Sequence, residues 1–272
     1  MWYCFEVKKY IFILVIVVLS GYAYLQNPYK AIAPSKTKED IAKEEYAKRV
    51  EEEKPYLLGH FSPVNDANFT LVPTAYLTYN TQMYLRKETL EAFIAMQEEA
   101  SKSGVSLKLA SGARNFDHQK RIWENKWDGT TLVDGKDLSK SIPDGVERFL
   151  KILEYSAAPS TSRHHWGTDI DINGATPSYF ETTEGKKVYD WLTANAMNYG
   201  FCQTYDEKGL NRTAGYKEEK WHWSYLPIAR GLTQDFKAII RVEDIKGFKG
   251  DEYVEELNLI DNYVLSINPE CL

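Results

Sequence analysis

Cysteine is scarce in this chain. Cys4, Cys202 and Cys271 are the only three, and none has a second cysteine at the spacing of a thiolate metal site, which excludes a zinc-finger type of centre. A cationic excess is also missing: 33 basic against 39 acidic side chains give a net charge of -6, with the two signs well mixed. A nucleic-acid partner is therefore not expected. No internal repeat is visible, and long apolar runs are confined to one place near the N-terminus.

That run extends from Tyr10 to Leu25 behind Lys8 and Lys9, and its roughly 16 residues sit at the short end of a membrane span, which needs roughly 17 to 25. Residues 1–25 therefore read as a signal peptide or a signal anchor. The preceding lysines place everything after the run on the far side of the membrane. Gly21 and Ala23 offer a weak small-x-small cleavage site, and no cysteine follows the run where a lipoprotein signal would need one. Uncleaved, the segment would tether the protein to the membrane; cleaved, it would release it. Cys202 and Cys271 are then the only pair in the exported part, and an oxidising compartment would join them and tie the C-terminus to the core.

Residues 26–54 are polar and highly charged, so they cannot bury a core stripe and are expected to form a solvated helix or tether. The remaining 55–272, in a chain of which 43% is hydrophobic, is ample for one globular core and thin for two. Leu90, Phe93, Ile94 and Met96 recur at helical intervals within 88–103, Gly104 stops them, and 105–110 reads as a strand. Further helices are expected at 116–126, 146–155, 185–199, 234–240 and 253–263, with loop at 128–143. Asp169-Ile170-Asp171-Ile172-Asn173 alternates as in a strand with one wet and one buried face. Residues 221–225 read as another strand. Helices mixed with short scattered strands give an α+β class with a small, mainly antiparallel sheet.

Two segments carry chemistry. In Ser162-Arg163-His164-His165-Trp166-Gly167-Thr168-Asp169-Ile170-Asp171, a loop histidine is followed by a glycine that permits a turn, and then by an acid on a strand. In Glu219-Lys220-Trp221-His222-Trp223, the imidazole must point away from the two flanking tryptophans. Two imidazoles and one carboxylate are the donor set of hydrolytic rather than structural zinc, because a fourth position remains for water. Glu219 is then placed to act as general base. Arg114, just beyond a strand end, offers a fork suited to a carboxylate.

These residues resemble the VanY-like zinc D-alanyl-D-alanine carboxypeptidases, in the wider group that includes lysostaphin-type peptidases and hedgehog domains. The signature Ser-x-His-x-x-Gly-x-x-x-Asp followed by Glu-x-Trp-His is supplied here by Ser162, His164, Gly167, Asp171, Glu219, Trp221 and His222, and the likeness spans roughly 90–225. It implies a hedgehog/D,D-peptidase-like fold and one Zn2+ held by His164, Asp171 and His222. It also implies that Glu219 is the base and that Arg114 grips the terminal carboxylate of the peptide, with Ser162 and Gln119 as further substrate contacts. A reading with His165 and Asp169 as ligands has its own spacing, yet only His164 satisfies both the glycine and the acid offsets. His165 is left as a supporting or surface group, and His60 and His118 as structural. Three positions depart from the family pattern: Asp169 stands where alanine is usual, Lys220 for a proline and Ala113 for a tyrosine. None removes a ligand, and Asp169 is either a partner for an imidazole or a solvated acid.

The expected activity is removal of the terminal D-alanine from peptidoglycan stem peptides by a monomer in the cell envelope, outside the cytoplasmic membrane. The alternatives are a peptidoglycan endopeptidase cutting L,D or cross-bridge bonds, and a zinc-containing binding protein without turnover. The ligand set would accept cobalt or nickel too; zinc follows from the resemblance and from the sufficiency of a redox-silent Lewis acid.

Overall fold

The computed structural model describes residues 36–272, so residues 1–25, expected to be a signal peptide or anchor, and Cys4 among them lie outside the described residues. The chain divides between Ala47 and Lys48. Helix α1 (Lys38–Leu57) is the charged stretch; its residues are exposed or half-exposed until Leu57, which is fully buried. Among the described residues no helix is long and apolar enough to cross a membrane.

From Lys48 onward the fold is α+β. A two-stranded ribbon pairs β1 (Phe69–Leu71) with β2 (Tyr84–Arg86), and a four-stranded antiparallel sheet runs in the order β3 (Leu109–Ser111), β4 (Asp169–Ile172), β6 (His222–Tyr225), β5 (Phe201–Gln203). Around them lie α2 (Lys87–Lys102), α3 (Phe116–Trp127), α4 (Leu138–Ser141), α5 (Val146–Leu153), α6 (Pro177–Phe180), α7 (Thr183–Asn195) and α8 (Leu226–Ile239). Helix α2 forms because Leu90, Phe93, Met96 and Ala100 fall on one stripe, and all four are buried. Helix α3 begins where Asn115 accepts a hydrogen bond from the His118 amide at 2.9 Å, a side-chain cap that fixes the backbone immediately after Arg114.

The sheet separates two apolar clusters. Ile170, Ile172, Trp221 and Trp223 point to one face and pack with Phe93, Met96, Val188 and Leu192 from α2 and α7. The period of two then forces Asp169, Asp171, His222 and Ser224 to the opposite face. Beside that face lies the second cluster, in which Trp123, fully buried, makes edge contacts with Phe149 and Phe248 at centroid distances of 4.7 and 5.9 Å.

The structure corrects several expectations. The alternating face of β4 is not wet: Asp169 is fully buried and Asp171 is 4% exposed, so the period reports a buried polar face rather than a solvated one. Strands β1, β2 and β5 have only three residues each, too short for periodicity to register. The loop at 128–143 contains the one-turn α4, and the helix expected from 234 starts at Leu226, where Pro227 occupies the first turn. In place of a helix over 253–263 there are a 3-10 turn at Asp251–Tyr253 and a π turn at Ile260–Val264.

Cys202 on β5 and Cys271 in the last turn form a disulfide with Cα atoms 5.6 Å apart, closing a loop of 69 residues between the sheet edge and the C-terminus. By loop-closure entropy such a bridge is worth about 4 kcal/mol. Replacing both cysteines by alanine should lower the unfolding free energy by roughly that amount in denaturant titrations. An unchanged unfolding midpoint would remove the disulfide from the stabilising set.

Candidate metal centre

Strand register builds the site. Asp171 on β4 pairs directly with His222 on β6, and Asp169 with Ser224, so their side chains meet on one face. His164 arrives from the 3-10 turn Arg163–Trp166, which ends at Gly167 with φ +69°. A Cβ at Gly167 would lie 2.4 Å from the Phe69 ring, so the turn needs glycine for conformation and for space.

His164 Nδ1 lies 2.8 Å from the Gly112 carbonyl. A carbonyl only accepts, so Nδ1 carries the proton and Nε2 presents its lone pair to the cavity. His222 is the mirror case. Its Nε2 lies 2.9 Å from Asp169 Oδ1, so when the ring gives up one proton the other stays on Nε2 and Nδ1 offers its lone pair to the cavity. The two lone pairs converge on Asp171 Oδ1, at 3.4 Å from His164 Nε2 and 3.3 Å from His222 Nδ1. One donor atom from each of the three residues falls within 4.8 Å of the others.

A tetrahedral cation with bonds of roughly 2.0–2.1 Å sets its ligands roughly 3.3–3.4 Å apart, close to these two separations. His164 Nε2 and Asp171 Oδ1 are buried yet have no hydrogen-bond partner, which costs free energy unless a cation satisfies both. The residues therefore fit a divalent ion.

Asp169 anchors the arrangement. Its Oδ1 accepts from Arg163 Nε at 3.1 Å and from His222; its Oδ2 accepts from Thr168 Oγ1 at 2.7 Å and Ser224 Oγ at 2.9 Å. Burial alone would raise this carboxyl, but the Arg163 guanidinium and the His222 bond outweigh it and hold the group well below the usual carboxylate range. Arg163 is itself fixed by Thr233 and Ser224 and lies over the Trp166 ring at 4.5 Å. Asp169 is thus the partner that orients an imidazole, as carboxylates behind metal-binding histidines do. The register using His165 is not assembled: His165 is fully buried, and its Nδ1 bonds the Arg114 carbonyl at 2.6 Å.

Glu219 sits on the turn before β6, with its amide bonded to the Tyr205 carbonyl at 2.9 Å and its Oε2 3.5 Å from His222 Nδ1. Burial pushes its carboxyl up to about 8; Asp171 adds to the rise, while His222, Arg114 and Lys126 oppose it. For His222, burial works against the charged ring, but Asp169 and Asp171 prevail and raise it to about 9.

These groups line a cavity of ≈ 200 Å³ together with Arg114, Ser162, Tyr205 and Tyr216. The backbone of Arg114 is gripped by both adjacent histidines, because its amide donates to the His164 carbonyl at 3.1 Å while its own carbonyl takes the His165 ring. Among the described residues its guanidinium makes no ion pair, and its Nε is buried without a partner, as is Ser162 Oγ. Both face the cavity with capacity to spare. Gln119, also expected at the site, is 1% exposed, donates to the carbonyl of the cavity-lining Ala157 at 2.7 Å and keeps its Oε1 buried without a partner, but does not itself line the cavity. His60 packs on Phe116 at 4.4 Å and His118 borders a separate groove.

Sequence reasoning missed Arg163, Lys126, Tyr205 and Tyr216. Arg163 stands inside the histidine motif, so its neighbours were a signal; the other three carry none that a single sequence exposes.

Three comparisons with known proteins bear on this site. The family model VanY, described as D-alanyl-D-alanine carboxypeptidase, matches residues 82–228. The chain is 25% identical over 217 residues to the putative carboxypeptidase YodJ of Bacillus subtilis, covering 76% of this chain and 64% of that protein. It is 26% identical over 192 residues to a D-alanyl-D-alanine carboxypeptidase of Enterococcus faecium, covering 70% and 50%. The chain thus spans between half and two thirds of the length of these relatives. Among solved structures it is similar to the LdcB LD-carboxypeptidase (26% identity, TM-score 0.45, 72% of this chain and 80% of that one). It is also similar to the vancomycin-resistance D,D-pentapeptidase VanY in complex with Zn(II) (21% identity, TM-score 0.42, 68% and 94%). The family match covers more than half of the chain and contains every residue of the cavity described above, and the chain belongs to the VanY D-alanyl-D-alanine carboxypeptidase family.

Proposed function

We propose that this protein is a zinc-dependent D,D-carboxypeptidase that removes the terminal D-alanine from peptidoglycan stem peptides outside the cytoplasmic membrane. The observation that carries the reading is the convergence of His164 Nε2, Asp171 Oδ1 and His222 Nδ1, with the opposite nitrogen of each ring already committed to Gly112 or Asp169. The name of the Enterococcus faecium relative and the disulfide, which belongs to an oxidising compartment, support the substrate and the location.

His164, Asp171 and His222 would hold one zinc ion, which polarises water and the scissile carbonyl when bound. Arg114 holds the free carboxylate of the departing residue by a charge-assisted fork, and Ser162 supplies its unused hydroxyl to the same end of the peptide. That fixes the scissile bond against Glu219. Glu219 takes the proton of the attacking water and delivers it to the amine that leaves. Asp169 acts one step removed, by holding the His222 ring. A second reading, cleavage within a longer chain, is favoured by one observation: Arg114 also borders a groove of ≈ 590 Å³ on its far side, where residues beyond the cut could lie. Mass analysis of muropeptide products separates the two, since the first releases one alanine and the second splits a bridge.

The assignments predict distinct outcomes. Glu219→Gln should retain stoichiometric zinc yet lose about 10²–10⁴ in kcat, as removal of a general base does; wild-type turnover would remove Glu219 from the chemistry. Arg114→Gln should lower kcat/KM for peptides with a free C-terminus by roughly 10–100-fold, the value of charge-assisted hydrogen bonds, and should spare C-terminally amidated ones. Equal losses on both would contradict the clamp.

Metal uptake should depend on pH with a defined sign. His222, raised to about 9, is protonated at neutral pH and must lose a proton to donate its lone pair, and Glu219, raised to about 8, is driven to ionise by a nearby cation. Zinc affinity should therefore climb from pH 7 towards 9, by up to about a hundredfold per unit below pH 8, where both groups give up a proton, and about tenfold per unit above it, with proton release visible by calorimetry in buffers of different ionisation enthalpy. A flat affinity over that window would contradict the protonation states assigned here.

A further inference from the structure

Arg114 is not the only cation in the cavity. Lys126, in the last turn of α3, lines it too, with Ile122 one turn earlier on the same stripe. Its ammonium donates to Ser156 Oγ and, among the described residues, forms no ion pair with any carboxylate. Holding that charge is unfavourable, since burial and the Arg114 charge both depress the ammonium, against weaker support from Glu219 and Asp134. A half-buried lysine with spare donors and no protein anion in contact is arranged for an anion that comes from outside.

The position of Lys126 gives a direction. Arg114 borders the cavity and the ≈ 590 Å³ groove, whereas Lys126, with Tyr155 and Ala175, borders the cavity and a different groove of ≈ 470 Å³. The two cations thus border different grooves leading from the cavity. With the C-terminal carboxylate on Arg114, the peptide passes the metal centre and leaves beside Lys126. At roughly 3.3–3.6 Å per residue, two or three residues bring the chain roughly 10 Å along, within reach of a lysine in the same cavity.

We infer that Lys126 binds a second carboxylate of the substrate, carried on the side chain of the residue two positions before the C-terminus. The protein then selects stem peptides whose third residue carries a free side-chain carboxylate, over peptides in which that group is amidated or missing. This rests on the carboxypeptidase reading and deepens it by naming the substrate class. Lys126 acts as a specificity residue, distinct from a mere tuning charge for Glu219, which would affect all peptides alike.

The test uses the zinc-loaded full chain and two pentapeptides ending in D-Ala-D-Ala, identical except that the third-residue side chain carries a carboxylate or a carboxamide. Wild type should favour the carboxylate in kcat/KM by about tenfold or more, mainly through KM. Lys126→Gln should abolish the preference, any shift it causes in the Glu219 pH profile being the same for both peptides, and Lys126→Arg should restore much of the preference. Equal kcat/KM for both peptides with wild type, or an equal loss on both in Lys126→Gln, would overturn the inference while leaving the peptidase reading intact. Binding of the same pair to the zinc form of Glu219→Gln, followed by calorimetry, separates the two claims. Carboxylate-dependent binding without wild-type turnover would overturn the peptidase reading and sustain this one, and binding of neither peptide would overturn both.

Discussion

The site depends on the pairing of two short strands. β4 and β6 share only three residue pairs, yet that register puts Asp171 opposite His222 and lets Asp169 reach the far nitrogen of the same imidazole. Because side chains alternate, a slip of one residue would send both carboxylates into the apolar cluster that Ile170, Ile172, Trp221 and Trp223 fill. Those four side chains therefore help to hold the register, and the polar face is specified by the apolar one behind it.

Burying so many ionisable groups is costly, and the structure offsets the cost group by group. Asp169 accepts four hydrogen bonds, Arg163 spends its donors on Asp169, Thr233 and Ser224, and both histidines place one nitrogen on a fixed acceptor. Within the cavity the unpaired buried atoms are His164 Nε2, Asp171 Oδ1, Arg114 Nε, Ser162 Oγ and Tyr216 Oη, while others, such as Gln119 Oε1, His165 Nε2 and Thr204 Oγ1, lie outside it. The orphaned atoms sort by chemistry, with lone pairs gathered where a cation fits and donors gathered where an anion fits. A site whose supports are satisfied and whose working atoms are not is preorganised in the sense that catalysis and binding require.

Much of this was legible in the sequence because the chemistry is concentrated in two segments. The tryptophans flanking His222 fixed its direction, Gly167 marked the turn behind His164, and the alternation over 169–173 placed Asp169 and Asp171 on one face. The exposure of that face was misread, since period two distinguishes polar from apolar but not wet from dry; the buried cation that makes a dry face tolerable, Arg163, lies in another element. Strands β1, β2 and β5 were invisible because their pairing is decided by tertiary neighbours. Gln119 lies close to Arg114 in sequence; its amide N–H donates to the Ala157 carbonyl and its Oε1 is left without a partner, a division that no sequence pattern shows.

The central claim is that one cation is held by two imidazole nitrogens and one carboxylate oxygen from separate parts of the chain. X-ray diffraction from zinc-soaked crystals, recorded on both sides of the zinc absorption edge, tests it directly. The account predicts a single strong anomalous peak roughly 2.0–2.2 Å from His164 Nε2, Asp171 Oδ1 and His222 Nδ1. A peak bound elsewhere, or ordered side chains at these three positions with no anomalous density among them, would contradict it.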